Sequence, residues 1–361
     1  MAVKKLLLED FLQLAVTMPV LDVRSPGEYQ HAHIPGAYNL PLFTNEERAI
    51  VGTLYKQQGK QKAVKSGLGF FGPKMNAMLE QAEAFQREFI KTSPSPRPDS
   101  PFGGQGGLLV HCWRGGMRSA GVAWLLDLYG FEVYTLVGGY KAYRKWVLEQ
   151  FEKVYDFKIL GGYTGSGKTK VLHQLKETGQ KIIDLEALAN HKGSAFGGMG
   201  QPPQRRQEMF ENLLAQELHK APASSFWAED ESQRIGDNVI PHPLWNTMRR
   251  QPVFFLDIPF EERLKNITEE YGLHTKEKII NAIIRIQKRL GPLETKTAIN
   301  QLLENNTEAC FGILLKYYDK HYLKSLYNRE NADALINKIA CLNVDSISNT
   351  EKLLSCSTVN T

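Results

Sequence analysis

Short β-branched runs alternate along this chain with stretches of helical period, and that alternation sets the expected architecture. Residues 20–24 are a short β-branched run closed by Ser25-Pro26-Gly27, which predicts a strand and its turn. Residues 31–41 hold too many turn formers for a helix, whereas residues 74–91 have helical composition. Leu108-Leu109-Val110 predicts another strand, and a helix over residues 119–129 puts Val122, Leu125, Leu126 and Tyr129 on one face before Gly130 stops it. Residues 131–136 return as a strand, and Gly138-Gly139-Tyr140 turns into a helix reaching Phe151. Between residues 92 and 107 lie four prolines and four glycines, which predicts a flexible insertion inside this first domain.

A new unit begins near Tyr155. Residues 157–160 predict a strand leading straight into a glycine loop, and a helix follows from Lys170 to near Gly179. Further strands are expected at 181–184, 225–228 and 253–257, so the pattern is that of a parallel sheet covered on both faces. From about residue 260 it turns helical, with Ile280, Ile283, Ile284 and Ile286 marking one helix and residues 314–327 another. The expected fold class is α/β, with domains at 8–150 and 155–345; residues 346–361, rich in Ser, Thr and Asn, are expected to fray. No internal repeat is visible.

Length and composition agree with two soluble domains: 361 residues, 42% hydrophobic and 23% charged. A net charge of +5 permits an anionic partner without requiring one. Glu9 and Asp10 interrupt the apolar start before it reaches signal-peptide length, and no apolar run is long enough to span a membrane. Cys112, Cys310, Cys341 and Cys356 are too scattered for a disulfide framework and form no zinc-type pair. The expected setting is a reducing cytoplasm, with no protein-only metal site.

Two loops carry the chemistry. In His111-Cys112-Trp113-Arg114-Gly115-Gly116-Met117-Arg118-Ser119 a thiol sits at a strand-to-helix turn, where loop N–H groups, the helix N-terminus, Arg114 and Arg118 would favour the thiolate. The same N–H groups could hold an oxyanion or a persulfide-type anion on the sulfur. His111 reads equally well as a packing residue. The second loop, Gly162-Tyr163-Thr164-Gly165-Ser166-Gly167-Lys168-Thr169, is a complete Walker A motif. Its backbone, with Gly162, Gly165, Ser166 and Gly167, can wrap a phosphate; Lys168 can neutralise phosphate oxygens, and Thr169 can ligate magnesium. Asp184, Glu229, Asp230 and Asp257 all lie near strand ends, and Asp184 and Asp230 are the favoured second-loop acids. Residues 190–197 with 201–204 form a long glycine- and amide-rich loop, and residues 229–236 hold acids, an arginine and a glycine, both placed where parallel sheets bind ligands.

Asp22-Val23-Arg24, Glu28-Tyr29, His33-Ile34-Pro35-Gly36-Ala37, Asn39-Leu40, the cysteine loop and Gly138-Gly139-Tyr140 resemble the rhodanese family over residues 8–150. That resemblance implies a cysteine carrying sulfur or selenium as an adduct. His-Cys-x5-Arg-Ser also matches cysteine-dependent phosphatases, in which the arginine grips phosphate. Over almost the whole chain, the cysteine loop, the Walker A loop, His191-Lys192-Gly193-Ser194-Ala195-Phe196-Gly197, Phe210-Glu211-Asn212, residues 229–236, Arg289-Leu290-Gly291 and the stretch 46–59 resemble the tRNA 2-selenouridine synthase family. The resemblance implies replacement of the sulfur of wobble 2-thiouridine in tRNA by selenium from selenophosphate, through an S-geranylated intermediate made from geranyl diphosphate. It makes Cys112 the selenium-handling nucleophile and the P-loop a diphosphate holder, with magnesium as an accessory and a selenophosphate supply enzyme as a partner. Arg48, Lys56 and Lys60 lie in the stretch an ordinary rhodanese domain lacks and are candidate tRNA contacts, as is the basic, aromatic helix at 316–324. Rival readings are a cysteine-dependent phosphatase fused to a nucleotide kinase-like module, and a sulfur-relay protein with an ATP switch.

Overall fold

A computed structural model describes residues 3–93, 106–220 and 225–359. The chain divides into two compact units, Met1–Glu149 and Gln150–Thr361. Both are α/β.

The first unit holds five parallel strands: β1 (Lys4–Leu6), β2 (Val20–Asp22), β3 (Tyr38–Asn39), β4 (Gly107–His111) and β5 (Glu132–Leu136), in the order β1-β5-β4-β2-β3. β4 lies at the centre, and Leu108, Leu109, Val110 and His111 are all buried, as expected for a strand covered on both faces. The sheet therefore delivers Cys112 at its carboxyl edge, just before the helix Met117–Tyr129. That helix ends as predicted, on Gly130 in the left-handed conformation at φ 114°. The expected domain start at residue 8 is too late. β1 pairs in register with β5, but as a three-residue edge strand it is too short to show an alternation. The Pro/Gly-rich insertion expected at 92–107 falls mostly outside the described residues; the helix Met75–Thr92 leads up to it.

The second unit carries β6 (Phe157–Gly162), β7 (Lys181–Ile183), β8 (Phe226–Glu229), a two-stranded hairpin of β9 (Arg234–Ile235) and β10 (Asn238–Val239), β11 (Val253–Asp257) and β12 (Ile336–Ala340). The main sheet runs β12-β11-β6-β8-β7, all parallel, with the P-loop strand β6 in the middle. Two expectations need correction. The region after residue 260 is not helical throughout, because β12 pairs along the whole of β11, Val253 opposite Ile336 through Asp257 opposite Ala340. Nor is the described part of the expected frayed tail 346–361 frayed: Ser346–Val359 is a helix. Asp345 accepts the Ser348 N–H at 2.7 Å and so caps its start, while Leu353, fully buried, packs with Val171, Leu172 and Leu175 of the P-loop helix Lys168–Glu177. Polar composition concealed one buried stripe.

Candidate functional site

The cysteine loop is fixed by backbone fit. Tyr140 N–H donates to the Cys112 carbonyl at 2.9 Å and Lys141 N–H to that of Trp113 at 3.0 Å, tying the loop to the turn after β5. Gly139 has φ 58°, and a Cβ there would lie 2.3 Å from the Cys112 carbonyl oxygen, so the glycine is sterically required. Cys112 is only 3% exposed. Its Sγ lies 3.2 Å from Ser119 Oγ and accepts the Gly116 N–H at 3.4 Å. Burial pushes the thiol pKa up, but the Ser119 hydroxyl and the N–H groups of Ser119, Gly116 and Arg114 outweigh it and leave the pKa below its ordinary value.

The two guanidiniums play a different part from the one expected of them. Arg118 donates through Nη1 to Glu28 Oε2 at 2.8 Å, so it is engaged by a carboxylate and is not turned to the sulfur. Arg114 is exposed, and it is its backbone N–H that acts on Cys112. The arginine that would grip phosphate in a phosphatase is thus already bound. Beneath the loop, Arg24 forms a buried pair with Asp22 (Nε to Oδ1 2.9 Å), donates to the Ala32 carbonyl at 2.8 Å and lies 3.9 Å from the Tyr140 ring centre. Asp22-Val23-Arg24 is a buttress. His111 is fully buried with neither ring nitrogen hydrogen-bonded, 3.8 Å from Asp22, and burial lowers its pKa, which favours the neutral ring.

In the second unit the P-loop leaves β6 and enters Lys168–Glu177. Gly165, at φ 81°, has no room for a side chain: a Cβ would come within 2.6 Å of Ile267. Lys168 Nζ donates to the Gly162 carbonyl at 2.9 Å, which folds the ammonium over the cradle. Thr169 Oγ1 lies 2.8 Å from Glu229 Oε1 and 3.2 Å from Glu186 Oε2. The favoured acids therefore change. Asp184 caps the helix Leu185–Ala189 through the Ala187 N–H at 2.8 Å and pairs with His173 at 2.7 Å. Asp230 is bound by Arg329 and by the Tyr322 hydroxyl at 2.9 Å. Glu229 is fully buried, and burial followed by repulsion from Glu186 and Asp184 raises its carboxyl well above the usual range. Burial and Glu186 push Glu231 up to about 8.

Contacts invisible in the sequence hold this cradle. Arg263, buried, grips Asp319 with two bonds of 2.8 Å and donates to the Thr164 carbonyl at 3.1 Å. Asn266 donates to the Gly165 carbonyl at 3.1 Å, and the Gly162 N–H donates to Tyr322 Oη at 3.1 Å. Arg263 and Asn266 stand on the helix Phe260–Tyr271, and Asp319 and Tyr322 on Thr307–Leu326, so both helices are tied to the P-loop. Tyr318 and Tyr322 of the expected RNA-contacting helix line the cavity beside the P-loop, leaving Lys316, Lys320 and Lys324 exposed. That cavity, about 470 Å³, begins at the P-loop and continues between Phe196, Ile267, Tyr271, Phe311, Leu314 and Tyr318. It is polar at the cradle, and these apolar side chains beyond it share the wall with Lys192, Ser194, Glu270 and His321.

Arg48, Lys56 and Lys60 sit on the helices Asn45–Gln58 and Lys60–Phe71. Arg48 lies 3.7 Å from Glu28, the carboxylate that also holds Arg118, while Lys56 and Lys60 are exposed. Among the described residues no group of three or more His, Cys, Asp and Glu side chains is arranged to hold a metal ion. No described helix is long and apolar enough to cross a membrane.

Comparison with known proteins bears on both units. Residues 4–69 match the rhodanese-like domain and residues 155–340 the tRNA 2-selenouridine synthase AAA domain. A tRNA 2-selenouridine synthase of Nitrosomonas europaea is 33% identical over 302 residues, covering 81% of this chain and 73% of that one. One from Proteus mirabilis is 35% identical over 353 residues, covering 88% and 91%. Identity at this level over most of both chains is decisive: the chain belongs to the tRNA 2-selenouridine synthase family.

Proposed function

We propose that this protein replaces the sulfur of wobble 2-thiouridine in tRNA with selenium from selenophosphate, by way of an S-geranylated intermediate formed from geranyl diphosphate. The observation that carries this reading is the cavity, in which a Walker A cradle opens directly onto a chamber walled in part by apolar side chains. A hydrocarbon chain bearing a diphosphate matches both ends, the charge in the cradle and the chain against Phe196, Phe311 and Leu314. In the first step the thione sulfur attacks the carbon bearing the diphosphate. A C–S bond forms, the C–O bond breaks with its electron pair staying on the diphosphate, and the base loses its N3 proton. Lys168 and the loop N–H groups receive the leaving group.

Glu229, Glu186 and Thr169 present hard oxygen donors suited to magnesium, which would share its shell with phosphate oxygens and would help neutralise the leaving diphosphate. In the second step selenium of selenophosphate bonds to C2 of the base, the C2–S bond breaks with its electron pair leaving on geranylthiol, and water takes the phosphoryl group as the Se–P bond is cleaved. Cys112, with its depressed pKa and N–H donors, is the thiolate assigned to this selenium step. A selenophosphate-producing enzyme would be the supplying partner. Lys56 and Lys60, both exposed, and Arg48 on the same helix as Lys56 offer the tRNA positive charge.

The test is mass spectrometry of tRNA nucleosides from cells lacking the protein and complemented with variants. Cys112→Ser should leave no 2-selenouridine while the protein stays folded, and Lys168→Ala should leave no geranylated nucleoside. Selenation at the parent level with Cys112→Ser would refute the carrier role; unchanged geranylation with Lys168→Ala would remove the P-loop from that step.

A further inference from the structure

Lys192 belongs to a loop that neither chemistry above has used. The loop closes on itself, with Lys192 N–H donating to the Gly197 carbonyl at 2.9 Å and Gly197 N–H to that of Ser194 at 2.9 Å. Phe196 anchors it, buried against Tyr271, Phe311 and Tyr318. So fixed, the loop places Lys192 on the wall of the same cavity that holds residues 164–170 of the P-loop. Its ammonium pairs with Glu270 and lies 5.8 Å from the Tyr271 ring centre. Lys168 and Lys192 both bear on Glu186: burial raises that carboxyl, and both ammoniums act against the rise. Glu186 in turn accepts from Thr169 at 3.2 Å. Two cations, one from each loop, thus line one cavity, and both favour the ionised form of the same carboxylate.

A diphosphate carries more charge than a single lysine neutralises, so a second cation on the cavity wall beside the cradle would be attracted to it. The pair between Lys192 and Glu270 is about one-third exposed on each side, so exchanging one anion for another there costs little. We propose that Lys192 is the second cation of the phosphate site, leaving Glu270 to contact the outer phosphate of a diphosphate whose other phosphate lies in the P-loop. The inference rests on the P-loop reading given above and adds a catalytic residue to it, because the contact strengthens as charge gathers on the departing diphosphate.

Calorimetric titration of the full chain with inorganic pyrophosphate and, separately, with orthophosphate tests this. Lys192→Met keeps the stem and removes the charge. It should weaken pyrophosphate binding about tenfold and leave orthophosphate within about twofold, while Lys192→Arg stays near the parent for both. Lys168→Met should weaken both anions. Pyrophosphate affinity within about twofold of the parent for Lys192→Met would overturn the assignment, as would equal weakening of both anions, which signals a disturbed loop. Lys168→Met binding pyrophosphate as the parent does is a different failure, that of the P-loop reading itself.

Discussion

Ser119 reaches Cys112 Sγ at 3.2 Å and also donates to the Gly116 carbonyl at 3.0 Å, so its single proton is shared between sulfur and backbone. Ionisation of the thiol draws that proton to the sulfur. Ser119→Ala should therefore move the midpoint of the pH-dependent alkylation of Cys112 upward, read on the Cys112 peptide so that exposed Cys356 does not interfere. An unchanged midpoint would mean the backbone N–H groups alone hold the thiolate. Glu231 invites a test of opposite sign. Its carboxyl is raised from an ordinary 4.5 to about 8, so between those pH values the unfolded chain ionises while the folded one keeps its proton, and stability falls as pH rises through the window. Glu231→Gln removes that loss and should raise the melting temperature more at pH 8 than at pH 5. An equal shift at both would show that Glu231 ionises freely.

Among the elements, those that carry the two loops were legible because each is a local pattern: a buried strand, a glycine turn, a helix with one apolar face. What remained hidden depends on distance along the chain. Arg263 and the Thr164 carbonyl are 99 residues apart, and no periodicity announces such a pair. Asp184 misled for a local reason, since an aspartate before a short helix serves first as its cap, and Glu186 inside that helix is the residue that turns to Thr169. Arg263→Met strips the clamp from the P-loop and leaves Asp319 half of a broken pair; it should cost about 3–5 kcal/mol of stability in a denaturant titration. A loss below 1 kcal/mol would show that the pair is dispensable. The helix Ser346–Val359 can be tested likewise, because Leu353→Ala should cost about 2–5 kcal/mol, whereas a frayed tail would not register the change.

Over the whole molecule the positive charge is in modest excess, +5, and Lys60–Phe71 carries three exposed lysines with no acid, whereas in Asn45–Gln58 Glu46 and Glu47 balance Arg48 and Lys56. Lys56→Ala with Lys60→Ala should weaken tRNA binding and flatten the slope of log K against log salt by about one unit per lost phosphate contact, with pyrophosphate binding unaffected. Equal tRNA affinity across a salt series would move the docking surface elsewhere. The order β12-β11-β6 has another consequence, for synthesis on the ribosome. Every strand of the first sheet has been made by Leu136, so that unit can close while most of the second is still to come. The phosphate unit has no such freedom: until Ile336–Ala340 and Ser346–Val359 emerge, β11 is an open edge and the P-loop helix lacks Leu353 against it. A premature stop between Asp257 and Ile336 would release a finished rhodanese-like unit joined to a sheet whose β11 edge stays open, a fragment prone to pair with other chains.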